Sequence, residues 1–205
     1  AGRDSDSKSG IIASFGRLFR NRLYRYGVVA QFFYVGAQIG VWSFTIRIVM
    51  QELGVLEAQA STIYLITIIG FCLSRFIYTW LMKWISPAKL LLAGGVLSTL
   101  MTAVVVLGAG SGWLLIVALV LISFFMSLMF PTIYGIALEG TGEDAKLGSA
   151  GLIMAILGGS VLPPVQAAII YRGTVMSMPA VNISFLLPLV CFAVIAAYGI
   201  RMSRA

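Results

Sequence analysis

The sequence predicts an all-α membrane protein that crosses the bilayer six times. Its 205 residues are 60% hydrophobic and 10% charged, and its mean hydropathy is +1.01. A soluble domain carries roughly 25% charged residues, so this chain has too little charge to cover a water-facing surface. The same hydropathy excludes a soluble nucleic-acid-binding protein, although the net charge of +7 alone would suit one.

Six apolar stretches are long enough to cross a hydrocarbon core of about 30 Å, which takes about 20 helical residues. We expect these spans at residues 26–50, 58–83, 88–108, 112–137, 148–171 and 180–201. Polar or small residues separate them, as in WISPAK and EGTGEDAK. Residues 202–205 are left as a short tail.

Residues 1–25 precede the first span and are polar or basic. Residues 1–10 have the composition of a disordered segment. They also lack the basic region, apolar region and cleavage site that follow one another in a signal peptide. Residues 11–27 place apolar side chains at helical spacing between four arginines: Arg17, Arg20, Arg22 and Arg25. This pattern is typical of a helix on an anionic membrane surface, but a solvated positive loop end fits it equally well.

Basic residues predict the orientation in the membrane. If the N-terminus lies in the cytoplasm, eleven of the 14 basic residues are cytoplasmic, as the positive-inside rule requires. Six of these eleven precede the first span. The five later ones are Lys83, Lys89, Lys146, Arg201 and Arg204. An even number of spans then places both termini in the cytoplasm. None of the seven acidic residues falls within an expected span, whereas proton-coupled transporters usually carry an intramembrane carboxylate.

Two glutamines, Gln31 and Gln38, interrupt the apolar first span. An unpaired amide in lipid costs a few kcal/mol. At 100° per residue both glutamines share a stripe with Tyr34 and Trp42, near the membrane midplane. Amides bond to hydroxyls and aromatic rings stack on the apolar face of a sugar, so the stripe is typical of a sugar site. Hydrogen bonds to neighbouring helices explain the glutamines as well, and periodicity alone leaves both interpretations open.

Small residues predict close helix packing in two spans. Gly36 and Gly40 form a GxxxG pair on the side of the first span opposite the glutamines. The fifth span carries a small-residue stripe that includes Gly158 and Gly159, for which a packing or hinge role is expected. Pro163–Pro164 follow, and we expect them to interrupt the helix.

Two further spans carry residues with an expected role. In the fourth span Phe130 and Tyr134 share a face, and Pro131 should kink the helix beside them. In the second span we expect Arg75 to form a structural or gating ion pair with an acid of a cytoplasmic loop.

The chain lacks the residues that an enzyme or a metal site would need. It has no histidine, no metal-ligand cluster and no nucleophile beside a base, so we expect no enzyme, metal or cofactor. Cys72 and Cys191 lie in apolar runs and are interpreted as small buried hydrophobes.

Three stretches resemble the C-terminal half of the L-fucose permease-type sugar–cation symporters of the major facilitator superfamily. They are QFFYVGAQIGVWSF, SRFIYTWLMKWISPAKLL and FPTIYGIALEGTGEDAKLGSAGLIMAILGG. The resemblance runs from about Tyr24 to the end and keeps the family's order and spacing. It implies two inverted three-helix repeats that face an N-terminal half across a central cavity, with residues 1–25 as the cytoplasmic linker.

The resemblance also implies sugar transport by alternating access in the plasma membrane. The first and fourth helices of each half line the cavity, which here assigns substrate contacts to Gln31, Tyr34, Gln38, Trp42, Phe130 and Tyr134. The N-terminal half would handle the coupling proton or sodium. The chain would then be a fragment, or a half-transporter that pairs with another chain or with itself. The alternative is a six-helix scaffold or assembly subunit that transports nothing.

Overall fold

The computed structural model describes residues 13–175 and 177–204, so the disorder expected for residues 1–10 lies outside the described part. Residues 13–20 are helical and are called α1. The other helices are α2 (Arg22–Leu53), α3 (Glu57–Leu81), α4 (Pro87–Leu107), α5 (Trp113–Met126), α6 (Met129–Leu138), α7 (Ala145–Met154), α8 (Gly158–Ile170), α9 (Ala180–Ser184) and α10 (Leu186–Ser203). Gly142–Asp144 and Ala155–Leu157 are 3-10 turns, and β1 (Thr174–Val175) pairs antiparallel with β2 (Met178–Pro179).

Six helical stretches are long and apolar enough to cross a membrane. They are Arg22–Leu53, Glu57–Leu81, Pro87–Leu107, Trp113–Leu138, Gly142–Ile170 and Ala180–Ser203. The fifth stretch begins six residues before the expected start, and the other ends lie within four residues of those expected from hydropathy. The last one continues to Ser203, so residues 202 and 203 of the expected tail are helical.

The six spans form two triplets that pack in the same way. The first triplet is α2, α3 and α4, and the second is α5–α6, α7–α8 and α9–α10. Helix α2 packs against α8 and α10, and α5 packs against α3 and α4. Helix α2 also meets α6, and α4 meets α10. Each of these contacts has its counterpart when the triplets are exchanged, which is the arrangement of two inverted repeats.

The fourth span is interrupted between α5 and α6, at Ser127 and Leu128. Pro131 explains the position, because its ring clashes with the carbonyl of the residue four places earlier, which is Ser127. Two neighbouring helices bond to the interruption. The Tyr34 hydroxyl donates to the Met126 carbonyl at 3.0 Å, and the Ser74 hydroxyl donates to the Ser127 hydroxyl at 2.6 Å.

The expectation that Pro163–Pro164 interrupt the fifth span is wrong, because α8 continues through both prolines. The interruption lies earlier, at the 3-10 turn Ala155–Leu157. Both prolines lie in the first two turns of α8, so only the carbonyls of Gly159 and Ser160 lose helical partners. The 3-10 turn in front of them takes up the change of direction.

Glycines bring the backbones of α2 and α8 into contact. A Cβ added to Gly158 would overlap the carbonyl oxygen of Phe32. On the other helix, a Cβ at Gly36 would overlap the Leu162 side chain, and one at Gly40 would lie 2.5 Å from Oε1 of Gln166. The two helices therefore approach as closely as they do only because these positions have no side chain.

We predict that Gly158→Ala destabilises the bundle by about 1–3 kcal/mol, because the Phe32 carbonyl belongs to a helix backbone and cannot move aside. Thermal unfolding of the purified protein in detergent measures this loss.

The matched control is Gly70→Ala in α3, where no atom lies within 4 Å of the added Cβ. That variant should be neutral or slightly stabilising, because alanine favours helix over glycine. Equal unfolding temperatures for the two variants would contradict the close contact.

Candidate functional site

The amide and aromatic residues of α2 lie against the interruption between α5 and α6. The indole nitrogen of Trp42 donates to the Ser123 hydroxyl at 3.3 Å, three residues before Met126, whose carbonyl accepts from Tyr34. These two bonds hold α2 against the end of α5 over two helical turns. Gln38 lies between the two donors along α2, one turn from each.

Aromatic rings extend this site onto α6 and α3. The Tyr34 ring meets Phe130 edge-on with centroids 6.1 Å apart, and Phe130 stacks on Tyr134 at 6.4 Å. On the other side, the Trp42 ring meets Phe71 of α3 edge-on at 5.0 Å. The structure therefore brings Tyr34 of α2 together with Phe130 and Tyr134 of α6, and it adds Phe71, which no prediction included as a contact.

Exposure divides the six predicted contact residues into two groups. Gln38, Trp42, Phe130 and Tyr134 are half-buried, and this set of partly exposed residues is called here the aromatic surface. Gln31 and Tyr34 are 0% exposed. Their burial differs from the open stripe that the helical wheel predicts, because α6 and α10 cover this part of α2.

Gln31 is a buried amide without a partner. Neither its Oε1 nor its Nε2 has a hydrogen bond within the described part of the chain. Gly27, one turn earlier on the same face, packs against Ala137, and its Cβ would lie 3.4 Å from the Tyr198 hydroxyl. That hydroxyl is also without a hydrogen bond there. The interhelical bond that offered an alternative explanation of Gln31 is therefore absent from residues 13–175 and 177–204.

Within residues 13–175 and 177–204, Arg75 forms no ion pair, in contrast to the expectation. Its guanidinium carbon lies 5.6 Å from the centroid of the Phe71 ring, beside the aromatic surface. Among the described residues the ion pair joins Arg17 to Asp144, at 2.7 Å. Arg17 donates a hydrogen bond to the Asp144 carboxylate, and this bond raises the pKa of Arg17. Asp144 is therefore already paired with a cation other than Arg75.

Three amides near the opposite end of the bundle are structural, and the sequence assigned them no role. Gln51 donates to the Asn182 side-chain oxygen at 3.0 Å, and Asn182 donates to the Val105 carbonyl at 3.0 Å. Gln166 donates to the Ser184 hydroxyl at 3.3 Å. Together these bonds join α2, α4, α8 and α9. Single amides in separate apolar spans carry no periodicity, so no local pattern could have paired them.

Two of the six spans are mostly uncovered. In Glu57–Leu81 and Gly142–Ile170, 22% of the most apolar window is buried, against 44–56% in the other four. These two are the middle spans of their triplets, so the repeat symmetry exposes equivalent helices. They offer the bundle's largest free faces to lipid or to another protein.

We predict that Gln31→Met leaves the free energy of unfolding unchanged or raises it, because the variant removes an amide that has no partner. Asn182→Leu, by contrast, should lower it by about 1–3 kcal/mol, since it breaks one buried and one partly buried hydrogen bond.

Denaturant unfolding in detergent compares the two variants. A larger loss for Gln31→Met than for Asn182→Leu would mean that Gln31 is hydrogen-bonded in the protein.

Comparisons with known proteins show relatives among the sugar symporters. No family model matches the chain. The chain is 48% identical over 188 residues to the L-fucose-proton symporter of Haemophilus influenzae, covering 90% of this chain and 42% of that protein. It is 37% identical over 197 residues to the L-fucose-proton symporter of Escherichia coli, covering 95% and 43%. It is 30% identical over 181 residues to a glucose/galactose transporter of Brucella abortus, covering 87% and 42%.

A solved structure has the same fold. The crystal structure of the major facilitator superfamily transporter FucP in the outward conformation matches with a TM-score of 0.85 at 33% identity. The match covers 92% of this chain and 44% of that one, so the chain spans less than half the length of its relatives. The chain is therefore an integral membrane protein with the fold of one six-helix half of the major facilitator superfamily, and its homologues are L-fucose-proton symporters.

Proposed function

We propose that this chain is the C-terminal half of a sugar–cation symporter that works by alternating access. The observation that carries the proposal is the aromatic surface, in which Gln38 and three aromatic rings are each partly exposed and Phe130 stacks on Tyr134. The relatives' names mention L-fucose, glucose and galactose, so the proposed substrate is a hexose or a 6-deoxyhexose.

The residues of this surface have the chemistry of a sugar site. The Gln38 amide both donates and accepts, so it suits a pair of sugar hydroxyls. Trp42, Phe130 and Tyr134 offer ring faces for the C–H side of the sugar. Tyr34 supports the site from behind, because it holds both the Phe130 ring and the Met126 carbonyl.

In this proposal Gln31 forms hydrogen bonds in a second conformation of the protein. Its amide is enclosed where α2, α6 and α10 meet, and it lacks hydrogen-bond partners in the described part of the chain. If the junction opens during transport, the amide reaches the cavity and gains partners from water or sugar. The glycine contacts between α2 and α8 would serve as the sliding surface, and Arg75 would act as a gate beside the sugar.

A second six-helix half completes the transporter in this proposal. The described spans carry acids only near their ends, such as Glu52 and Glu57. The carboxylate that carries a coupling proton, or binds sodium, would therefore come from the other half. The uncovered middle spans of each triplet would face it. The proposed protein is not an enzyme, lies in the plasma membrane and has both termini in the cytoplasm, as its basic residues favour.

The test is Gln38→Ala in the transporter as the cell makes it. Loss of one or two buried hydrogen bonds, about 1–3 kcal/mol, should weaken L-fucose binding roughly 5- to 150-fold. Equilibrium binding of labelled sugars to membrane vesicles measures the change, with glucose and galactose as the second and third sugars.

Gln59→Ala at the exposed start of α3 is the matched control and should bind as the wild type does. Wild-type affinity in correctly folded Gln38→Ala would contradict the proposed sugar contact. Failure of the wild-type protein to bind any of the three sugars would favour the scaffold alternative.

A further inference from the structure

An apolar cleft lies between α2 and α7 at the end of the bundle that carries α1. Its volume is about 460 Å³, within the range of ligand-binding pockets. It is lined by Phe15, Phe19, Tyr24, Arg25, Val28, Val29, Gly151 and Met154. A second cleft of about 400 Å³ shares four of these residues and continues along α2 to Phe32 and Phe33.

The cleft lies beside an irregular part of the fifth span. Helix α8 lies directly on α2, with Gly158 against the Phe32 carbonyl. The 3-10 turn Ala155–Leu157 then separates α8 from α7. Near its start α7 meets α2 again, where the Tyr24 hydroxyl donates to the Gly148 carbonyl at 3.0 Å. Between these two contacts the helices leave a gap, and Phe15 and Phe19 of α1 form its edge.

The cleft opens away from the aromatic surface. Val29, 48% exposed, lines both clefts and lies nine residues before Gln38. Nine residues at 100° each turn the helix by 900°, so the two side chains point in opposite directions. Val29 is exposed on this side of α2, so the cleft there is open to lipid.

Arg25 lines the cleft, and Arg22 lies about one turn before it on α2. Arg22 and Arg25 precede Val29 by seven and four residues, which places all three on one side of α2. Both arginines are exposed, and neither has an ion pair within residues 13–175 and 177–204. Arg17, by contrast, is engaged by Asp144 through two hydrogen bonds of 2.7 Å.

We propose that this cleft binds one anionic glycerophospholipid. The headgroup phosphate would lie on Arg22 and Arg25, because guanidinium groups form paired hydrogen bonds with phosphate oxygens. One acyl chain would lie along Val28, Val29 and Met154 toward Phe32. The exposed rings of Phe15 and Phe19 would enter the lipid interface and close the cleft over that chain. The site does not depend on whether the aromatic surface binds sugar.

Native mass spectrometry of the protein, purified in a mild detergent with added phosphatidylglycerol or phosphatidylcholine, tests the site. We expect one phosphatidylglycerol per chain to be retained, and phosphatidylcholine to be retained roughly tenfold less. The double variant Arg22→Gln/Arg25→Gln should lose that preference. The matched double variant Lys83→Gln/Lys89→Gln, at the turn between α3 and α4, should keep it.

A second pair of variants tests the acyl-chain part without changing charge. Met154→Trp should fill the cleft and reduce phosphatidylglycerol retention, and it should fold because Met154 is 66% exposed. Ile153→Trp, at a neighbouring exposed position that does not line the cleft, should retain the lipid.

Three outcomes would overturn the proposal. They are equal retention of the two lipids by the wild-type protein, the same loss in the arginine and lysine double variants, and no retained lipid in any sample. The last result would mean that another part of the assembled protein covers the cleft.

Discussion

The interruption between α5 and α6 is the constraint on which the candidate site depends. Pro131 prevents a regular helix around Ser127, and the polar groups there are bonded by neighbouring helices. Tyr34 supplies a hydroxyl from α2 and Ser74 supplies one from α3, so one discontinuity holds three helices together. The rings of Phe130 and Tyr134 follow directly after it on α6. The element that weakens the helix therefore also fixes the aromatic residues beside it.

Different faces of helix α2 have different neighbours. One face carries Gln38 and Trp42 of the aromatic surface, and Gly36 and Gly40 let α8 lie against another. Toward α1, the side that carries Val29 loses its helical neighbour and borders the apolar cleft. An alternating-access protein needs close contacts that slide and interruptions that bend. The glycine contacts and the 3-10 turn before Gly158 place both in the fifth span.

Local patterns in the sequence predicted much of this arrangement and failed where distant residues decide. Hydropathy located the six spans, and the 100° period placed Gln31, Tyr34, Gln38 and Trp42 on one stripe. The period could not show that α6 and α10 cover Gln31, because that depends on contacts more than a hundred residues apart in the chain. Proline positions were also ambiguous. Pro131 interrupts its span, whereas α8 tolerates Pro163 and Pro164 because a 3-10 turn precedes it. The partners of Arg75 and Asn182 likewise lie on other helices.

If sugar binds at the aromatic surface, it should protect a cysteine placed there from a water-soluble thiol reagent. Gly135→Cys is a suitable reporter, because Gly135 is exposed next to Tyr134 and no atom lies within 4 Å of an added Cβ. Replacing Cys72 with alanine removes the exposed native thiol, while Cys191 is 1% exposed. We expect the reagent to label the Gly135→Cys variant and L-fucose or galactose to slow that labelling. The sugars should not change the labelling of Gly70→Cys. If neither sugar changes the rate at which Gly135→Cys is labelled, sugar does not bind at the aromatic surface.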